Sequence, residues 1–274
     1  MKKWMAVCLM LLLVLGSLST AVAAMVDATP IPVAYVTIAD AKGTPVVAHL
    51  SLDLNTADAN ADGKITIDEV LRAVHDLKYT GGAAAGYASA ESDWGLSLTK
   101  LWGTENGGSY GYYVNNASAM SLADEVKNGD YVYAFVYTDL KAYSDTYCYF
   151  DTETAHVTAG ESVTLTLTAV GFDAEYKPVT SPVEGAIITL DGQKTELKTD
   201  AEGKVTVALN NAGSVLISAV GADGKVLVPP VCLAQVDPVE TKSNHTTVIV
   251  LCVVAVVVVA GVVVGVLSSK KKKA

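Results

Sequence analysis

The sequence predicts an α+β domain followed by an all-β sandwich and a single C-terminal transmembrane helix. A strand pattern gives way to a helical pattern between residues 45 and 79, short alternating strands fill residues 186–219, and an apolar run covers residues 247–268. The predicted segments are a signal peptide at 1–24, the α+β domain at 25–170, the sandwich at 171–237, a linker at 238–246, the span at 247–268 and a tail at 269–274.

The two ends of the chain predict where the protein resides. Lys2 and Lys3 precede an apolar run that ends in Ala21-Val22-Ala23, which is typical of a secretory signal peptide. Near the C-terminus, residues 247–268 are long enough to cross a hydrocarbon core of about 30 Å, and Lys270–Lys273 follow them. Since lysines after a span tend to remain in the cytoplasm, we expect a single-pass protein of the cell membrane whose residues 25–244 face outward.

The chain is acidic, with a formal net charge of −10 over 274 residues. Six of its lysines lie at the two ends, so the part between them is more acidic still. A nucleic-acid partner is therefore not expected, because binding to phosphates needs a basic surface.

Residues 58–69, DANADGKITIDE, match every position of an EF-hand calcium loop. Such a loop places oxygen ligands at positions 1, 3 and 5, a glycine at the sharp turn of position 6, and a bidentate glutamate at position 12. The alternative is an Asp-Gly turn that only looks like the motif. The predicted Ca²⁺ ligands are Asp58, Asn60, Asp62, the carbonyl group of Lys64, Thr66 and Glu69.

The elements around this loop are predicted to be a strand before it and a helix after it. Residues 46–54 alternate between two faces, whereas Ile67, Val70, Leu71 and Val74 recur at helical spacing. This strand, loop and helix order resembles the half-EF loops of dockerin modules, which hold one structural ion. His75 on the helix is predicted to lie at the surface or at a cap.

Nine tyrosines lie between residues 110 and 149, several of them two residues apart. On a strand, that spacing places them on one face, which suits a sugar ring, a peptide or a planar cofactor. Alternatively, these rings belong to the core; one face of residues 131–137 is expected to be buried, and the pattern leaves open which. The predicted ligand contacts are Trp102, Tyr110, Tyr112 and Tyr113.

Part of this segment follows a pattern of glycine, aromatic, valine, asparagine and aspartate residues: Gly111, Tyr112, Val114, Asn115, Gly129, Asp130, Val132 and Tyr137. It resembles the domain at the C-terminal end of transcobalamin and intrinsic factor, which also occurs on bacterial surface proteins. The resemblance implies a compact α+β domain of β-grasp character. Two features depart from the pattern: Asn115-Asn116 replaces the usual Asn-Gly turn, and the calcium loop is an addition upstream.

Residues 185–220 read as short strands separated by tight turns such as Asp191-Gly192. This stretch resembles the bacterial Ig-like spacer modules of surface proteins, which implies a sandwich without chemistry of its own. Cys148 and Cys232 are predicted to lie outside the cell, where a disulfide is permitted, and the sequence leaves their pairing open.

Catalysis has little support, because the histidines occur singly and no HExxH motif is present. We therefore expect a protein that is not an enzyme. One interpretation is a membrane-anchored calcium-binding protein whose first domain binds an extracellular glycan, peptide or small cofactor. The alternative is a structural or adhesive surface protein in which calcium stiffens one module and the Ig-like domain is a stalk.

Overall fold

A computed structural model describes residues 30–105, 107, 109–222 and 224–239. The elements up to residue 147 are β1 (Val33–Ala39), β2 (Pro45–Asp53), a 3-10 turn (Leu54–Thr56), α1 (Ile67–Lys78), α2 (Gly82–Gly86), β3 (Ala88–Ser92), β4 (Gly95–Lys100), β5 (Tyr110–Val114), β6 (Ala117–Ser118) and β7 (Tyr131–Val136). The strands that follow are β8 (Cys148–Phe150), β9 (Thr154–Thr158), β10 (Glu161–Phe172), β11 (Pro178–Pro182), β12 (Ile187–Leu190), β13 (Gln193–Lys198), β14 (Lys204–Leu209), β15 (Gly213–Val220) and β16 (Cys232–Asp237).

The N-terminal region, residues 30–147, is built on a five-stranded sheet in the order β2-β1-β7-β5-β6. Strand β1 runs parallel to β7, and the other neighbours are antiparallel. Helix α1 buries Val70, Leu71 and Val74 in the same core as Val132 and Ala134 of β7. The strand before residues 58–69 and the helix after them are thus confirmed.

All six residues of β7 are buried, so both of its faces are covered. Val132, Ala134 and Val136 join the core under α1, while the aromatic face joins a second cluster. We call this second set the tyrosine cluster: Ala39, Tyr113, Tyr131, Tyr133, Phe135, Tyr147 and Val228.

The C-terminal region, residues 148–239, consists of two packed sheets. In one, β10 pairs with β8, β11 and β14; the other has the order β13-β12-β15-β16-β9. Leu165 and Val207 of the first sheet lie in one core with Ile188 and Ile217 of the second. Along β14, buried and exposed residues alternate, as expected for a strand with one face on the core.

The change from one set of sheets to the other comes near residue 147, not between residues 170 and 171 as predicted. Strand β10 pairs along Glu161–Thr166 with β14, and β9 pairs in parallel with β16. Residues 148–170 therefore belong with the sandwich. Backbone pairing with strands about 40 to 80 residues further along decides this, and periodicity within a segment does not reveal it.

The predicted α+β class is wrong, because the described chain is predominantly β. Its helices are α1, with 12 residues, and α2, with five, while strands occupy about half of the described residues. The predicted sandwich is present as two packed sheets. Short pieces such as β3, β4, β6 and β8 become strands by pairing with neighbours and carry little periodic signal of their own.

Within residues 30–239 no helix is both long and apolar enough to cross a membrane. The predicted signal peptide, the predicted span at 247–268 and the lysine tail lie outside the described residues.

Candidate functional site

In the first half of the predicted calcium loop, backbone N–H groups donate hydrogen bonds to side-chain oxygens of the same loop. The carboxylate of Asp58 accepts hydrogen bonds from the N–H groups of Asp62 (3.2 Å) and Gly63 (3.0 Å). Asn60 Oδ1 also accepts from Asp62 N–H at 2.9 Å, and Asp62 Oδ1 accepts from Lys64 N–H at 2.8 Å. Gly63 has φ of +80°, the left-handed turn for which position 6 requires glycine.

The carboxylate of Glu69 closes the loop and starts the helix at the same time. One of its oxygens accepts from Ala59 N–H at 3.2 Å; the other accepts from the N–H and hydroxyl groups of Thr66, at 3.0 and 2.9 Å. Thr66 is the N-cap of α1 and its hydroxyl accepts from Glu69 N–H, which completes a capping box. Glu69 is buried, with 6% of its surface exposed.

The end of the loop is fixed to a neighbouring segment by backbone bonds. Ile65 C=O accepts from Val126 N–H at 2.7 Å, and Ile67 N–H donates to Asp124 C=O at 3.1 Å. Thr66 also forms an isolated bridge with Glu125. The loop therefore links the start of α1 to the segment that leads into β7.

The loop supplies six oxygen donors in the order that calcium loops use: carboxylates at positions 1, 5 and 12, an amide, a hydroxyl and a carbonyl. These hard oxygen donors fit Ca²⁺ by type and number. The carboxylates are, however, engaged by backbone N–H groups, and in the described part of the chain no three His, Cys, Asp or Glu side chains are grouped closely enough to hold a metal ion. The site fits calcium by its donors and not by a preformed carboxylate cluster.

The four predicted ligand-binding aromatics do not form one surface. Tyr110, Tyr112 and Trp102 pack against the core under α1, whereas Tyr113 belongs to the tyrosine cluster on the other face of the sheet. The hydroxyl group of Tyr110 donates to carbonyl oxygens of Thr99 and Thr104. Trp102, Tyr110 and Tyr112 are half-buried, and Tyr113 is 9% exposed.

His75 is fully buried, contrary to the predicted surface or cap position. Its Nδ1–H donates to Leu71 C=O at 2.7 Å, and its Nε2 accepts from Trp102 N–H at 3.1 Å. Burial lowers the pKa of His75 below its usual value, and the backbone bond to Leu71 opposes that shift in part. The signal was available in the sequence, since His75 follows Leu71 by one helical turn on the apolar stripe.

A cleft that the sequence did not indicate surrounds His49. Its volume is about 520 Å³. It lies where β1, β2 and the start of β7 approach the start of β9. The lining residues are Tyr35, His49, Ser51, Asn115, Asn116, Gly129, Tyr131, Glu153 and Thr154.

Cys148 and Cys232 are both buried free thiols. Cys148 Sγ donates to Val228 C=O at 3.2 Å. Burial raises the pKa of both thiols, that of Cys232 to about 12, so neither forms a thiolate at neutral pH.

No family model matches the chain, so none supports the resemblance to the transcobalamin C-terminal domain or to dockerin modules. No curated protein matches it either.

Similar solved structures include the fibronectin(III)-like modules of CbhA from Clostridium thermocellum, at 10% identity, with 50% of this chain and 81% of that chain covered and a TM-score of 0.27. The N-terminal four Ig domains of Dscam1 isoform 4.44 (12% identity, TM-score 0.21) and of isoform 9.44 (11%, 0.20) each cover 55% of this chain and 31% of their own. At these TM-scores the overall folds differ, and the β architecture described above rests on the strand pairing itself.

Proposed function

We propose that residues 58–69 bind one Ca²⁺ ion and that the ion stabilises the N-terminal region as a structural module. The observation that supports this most directly is the double role of Glu69. Its carboxylate lies between Ala59, at the start of the loop, and Thr66, at the start of α1. A cation held by this carboxylate and by Asp58 would tie the two ends of the loop together.

Calcium would be held by the side chains of Asp58, Asn60, Asp62, Thr66 and Glu69 and by the Lys64 carbonyl group. The ion would supply the positive charge that offsets the repulsion between the carboxylates of Asp58, Asp62 and Glu69 when they converge on it. Val70, Leu71 and Val74 hold the apolar face of α1 in the core, so a helix movement of the kind that opens a sensor would expose that face to water. The proposed role is therefore stabilisation and not the opening and closing of a sensor.

The predicted signal peptide places this module outside the cell, where sites of this kind bind with dissociation constants of about 10⁻⁴ to 10⁻³ M. Of the two interpretations drawn from the sequence, the burial of the tyrosines favours the structural or adhesive one. Tyr113, Tyr131, Tyr133 and Tyr147 are each at most 9% exposed. We propose no catalytic step and no nucleic-acid partner.

The test is thermal unfolding of the full chain in millimolar Ca²⁺, in Mg²⁺ and in chelator. At 10 mM, Ca²⁺ is present at about 10 to 100 times these dissociation constants and stabilises the folded state by ~1.4–2.7 kcal/mol. For a domain of about 150–250 residues, that corresponds to a rise in Tm of about 3–10 °C. Equal midpoints in Ca²⁺ and chelator would refute the proposal.

A further inference from the structure

The cleft around His49 presents side chains from three adjacent strands on one sheet face. Tyr35 of β1 is paired with Ser51 of β2 on one side and with Tyr131 of β7 on the other. Directly paired residues point to the same face. The opposite wall comes from Glu153 and Thr154, so the cleft lies between the N-terminal and C-terminal regions.

His49 is directed into this arrangement by an irregularity of β2. The pairing with β1 shifts register between Val36 and Ile38. At that point His49 has φ of +45°, and its N–H donates to Thr37 Oγ1 at 3.0 Å. A positive φ is unfavourable for a histidine, and bulges of this kind commonly redirect a side chain beside a binding site.

The ring of His49 carries an unused polar atom. Nδ1 is the single buried side-chain nitrogen or oxygen without a hydrogen-bond partner among the residues that the structure describes, whereas buried polar atoms normally have one. The ring stacks on Tyr35, with centroids 4.5 Å apart and planes 13° apart, and lies 5.8 Å from the ring of Tyr131. Burial lowers the pKa of His49, against the opposing charge of Glu153, which favours the neutral imidazole.

Glu153 is the one ionisable acid lining the cleft, and no Lys or Arg lines it. In the described parts of the chain, the Glu153 carboxylate takes part in none of the three ion pairs. The side-chain amides of Asn115 and Asn116, which also line the cleft, already form hydrogen bonds within the protein. Asn115 accepts from Tyr131 N–H and donates to Asp130, while Asn116 Oδ1 accepts from the Tyr147 hydroxyl group.

The polar capacity left open is therefore an accepting imidazole nitrogen and a negative carboxylate, beside two tyrosine rings. An ammonium group matches all three features. It donates up to three hydrogen bonds, it pairs with a carboxylate, and it is attracted to the face of an aromatic ring. We propose that the cleft lined by Tyr35, His49 and Glu153 binds an ammonium group, carried either by a small amine or by a lysine side chain of a partner.

The experiment is calorimetric titration of the full chain with matched probes. 1,4-Diaminobutane represents a small amine, and Nα-acetyl-lysine N-methylamide represents a lysine side chain. The Nε-acetylated form of the second probe removes the charge, and glucose is a neutral polyol. We expect saturable binding of at least one amine and no binding of the neutral probes. The amine that binds more tightly identifies whether the ammonium group comes from a small amine or from a lysine side chain.

Two variants test whether binding occurs in this cleft. Glu153→Gln keeps the shape of the side chain and is expected to weaken amine binding at least tenfold. In His49→Asn, the new asparagine tolerates the positive φ of this position. This variant is expected to weaken amine binding about threefold, which is less than Glu153→Gln does. Glu202→Gln, in an exposed turn of the C-terminal region, is the matched control and should bind normally.

Three results would overturn the proposal: no binding of either amine, equal binding of the Nε-acetylated probe or glucose, or unchanged affinity in a folded Glu153→Gln variant. Titration in Ca²⁺ and in chelator separates this site from the calcium loop, because none of the lining residues belongs to residues 58–69. Amine binding that persists in chelator supports the cleft even if the loop binds no calcium.

Discussion

The rings of Tyr113 and Tyr147 stack with centroids 3.6 Å apart and planes only 7° apart. Tyr113 lies on β5 of the N-terminal sheet, and Tyr147 directly precedes β8 of the C-terminal region. Around this pair, Tyr133 donates from its hydroxyl group to Pro229 C=O at 2.5 Å. The tyrosine cluster thus joins the two regions through the packing of Val228 against its rings and through a buried hydrogen bond.

Replacing Tyr147 by Ala should strongly destabilise the protein. Tyr147 is 2% exposed, and truncating a buried aromatic ring typically costs about 3–5 kcal/mol. Urea unfolding measures the change in the free energy of unfolding. Tyr176→Ala is the control, since Tyr176 is 87% exposed and its loss should cost less than about 0.5 kcal/mol. Similar costs for the two variants would contradict the role of the cluster.

Gly111→Ala should destabilise the N-terminal sheet although it adds only one methyl group. A Cβ at this position would overlap the ring of Phe135, which is 1% exposed and cannot move aside. Overpacking of this kind costs about 1–3 kcal/mol. Gly171→Ala is the matched control on another strand, because its nearest neighbour would be a Val179 methyl group at 4.0 Å. Chemical denaturation of both variants measures the difference, and equal stability would argue against the tight approach of β5 and β7.

The two calcium-loop acids Asp58 and Glu69 should control the response to calcium. Asp58→Asn removes the charge and keeps one of the two oxygens that accept from Asp62 and Gly63 N–H. Glu69→Gln likewise keeps one of the two oxygens that accept from Ala59 and Thr66. Both variants should lose the rise in Tm that Ca²⁺ produces. Asp200→Asn is the control, since Asp200 accepts two backbone N–H bonds in a turn that lacks the other ligand positions. A full calcium response in Asp58→Asn would exclude the loop as the binding site.

Stability should fall as the pH drops below about 6.5. Because the pKa of folded His75 is lowered from 6.5, the unfolded chain binds more protons than the folded chain between that lowered pKa and 6.5. The free energy of unfolding is therefore highest above pH 6.5 and decreases as the pH falls through this window. His49 acts in the same direction.

The measurement is the midpoint of urea unfolding between pH 8 and pH 5, with NMR titration of the His75 ring. His75→Gln should flatten the pH dependence, whereas substitution of the exposed His156 by Gln should leave it steep. An NMR pKa for His75 at or above 6.5 would contradict the buried neutral ring.

The order of strand, loop and helix around residue 58 was predictable, because Pro45–Asp53 and Ile67–Lys78 carry clear periods of two and 3.6 residues. The pairing of β7 with β1 was not predictable, because these parallel neighbours are almost one hundred residues apart in the sequence. The sequence also does not reveal whether the ring of a tyrosine on a strand is buried. For this reason Tyr113 was predicted as a ligand contact, whereas its ring lies in the tyrosine cluster. The cleft around His49 depends on a bulge and on Glu153 from a different region, and neither leaves a local pattern.

The position of β16 has a mechanical consequence. This strand lies inside its sheet, between antiparallel β15 and parallel β9, and it is the last strand in the described chain. A force applied to the polypeptide beyond residue 237, along the strand axis, would load the hydrogen bonds to β15 and those to β9 in shear. The strand could then not peel away one bond at a time, and the sandwich would withstand tension from that end until many bonds broke together.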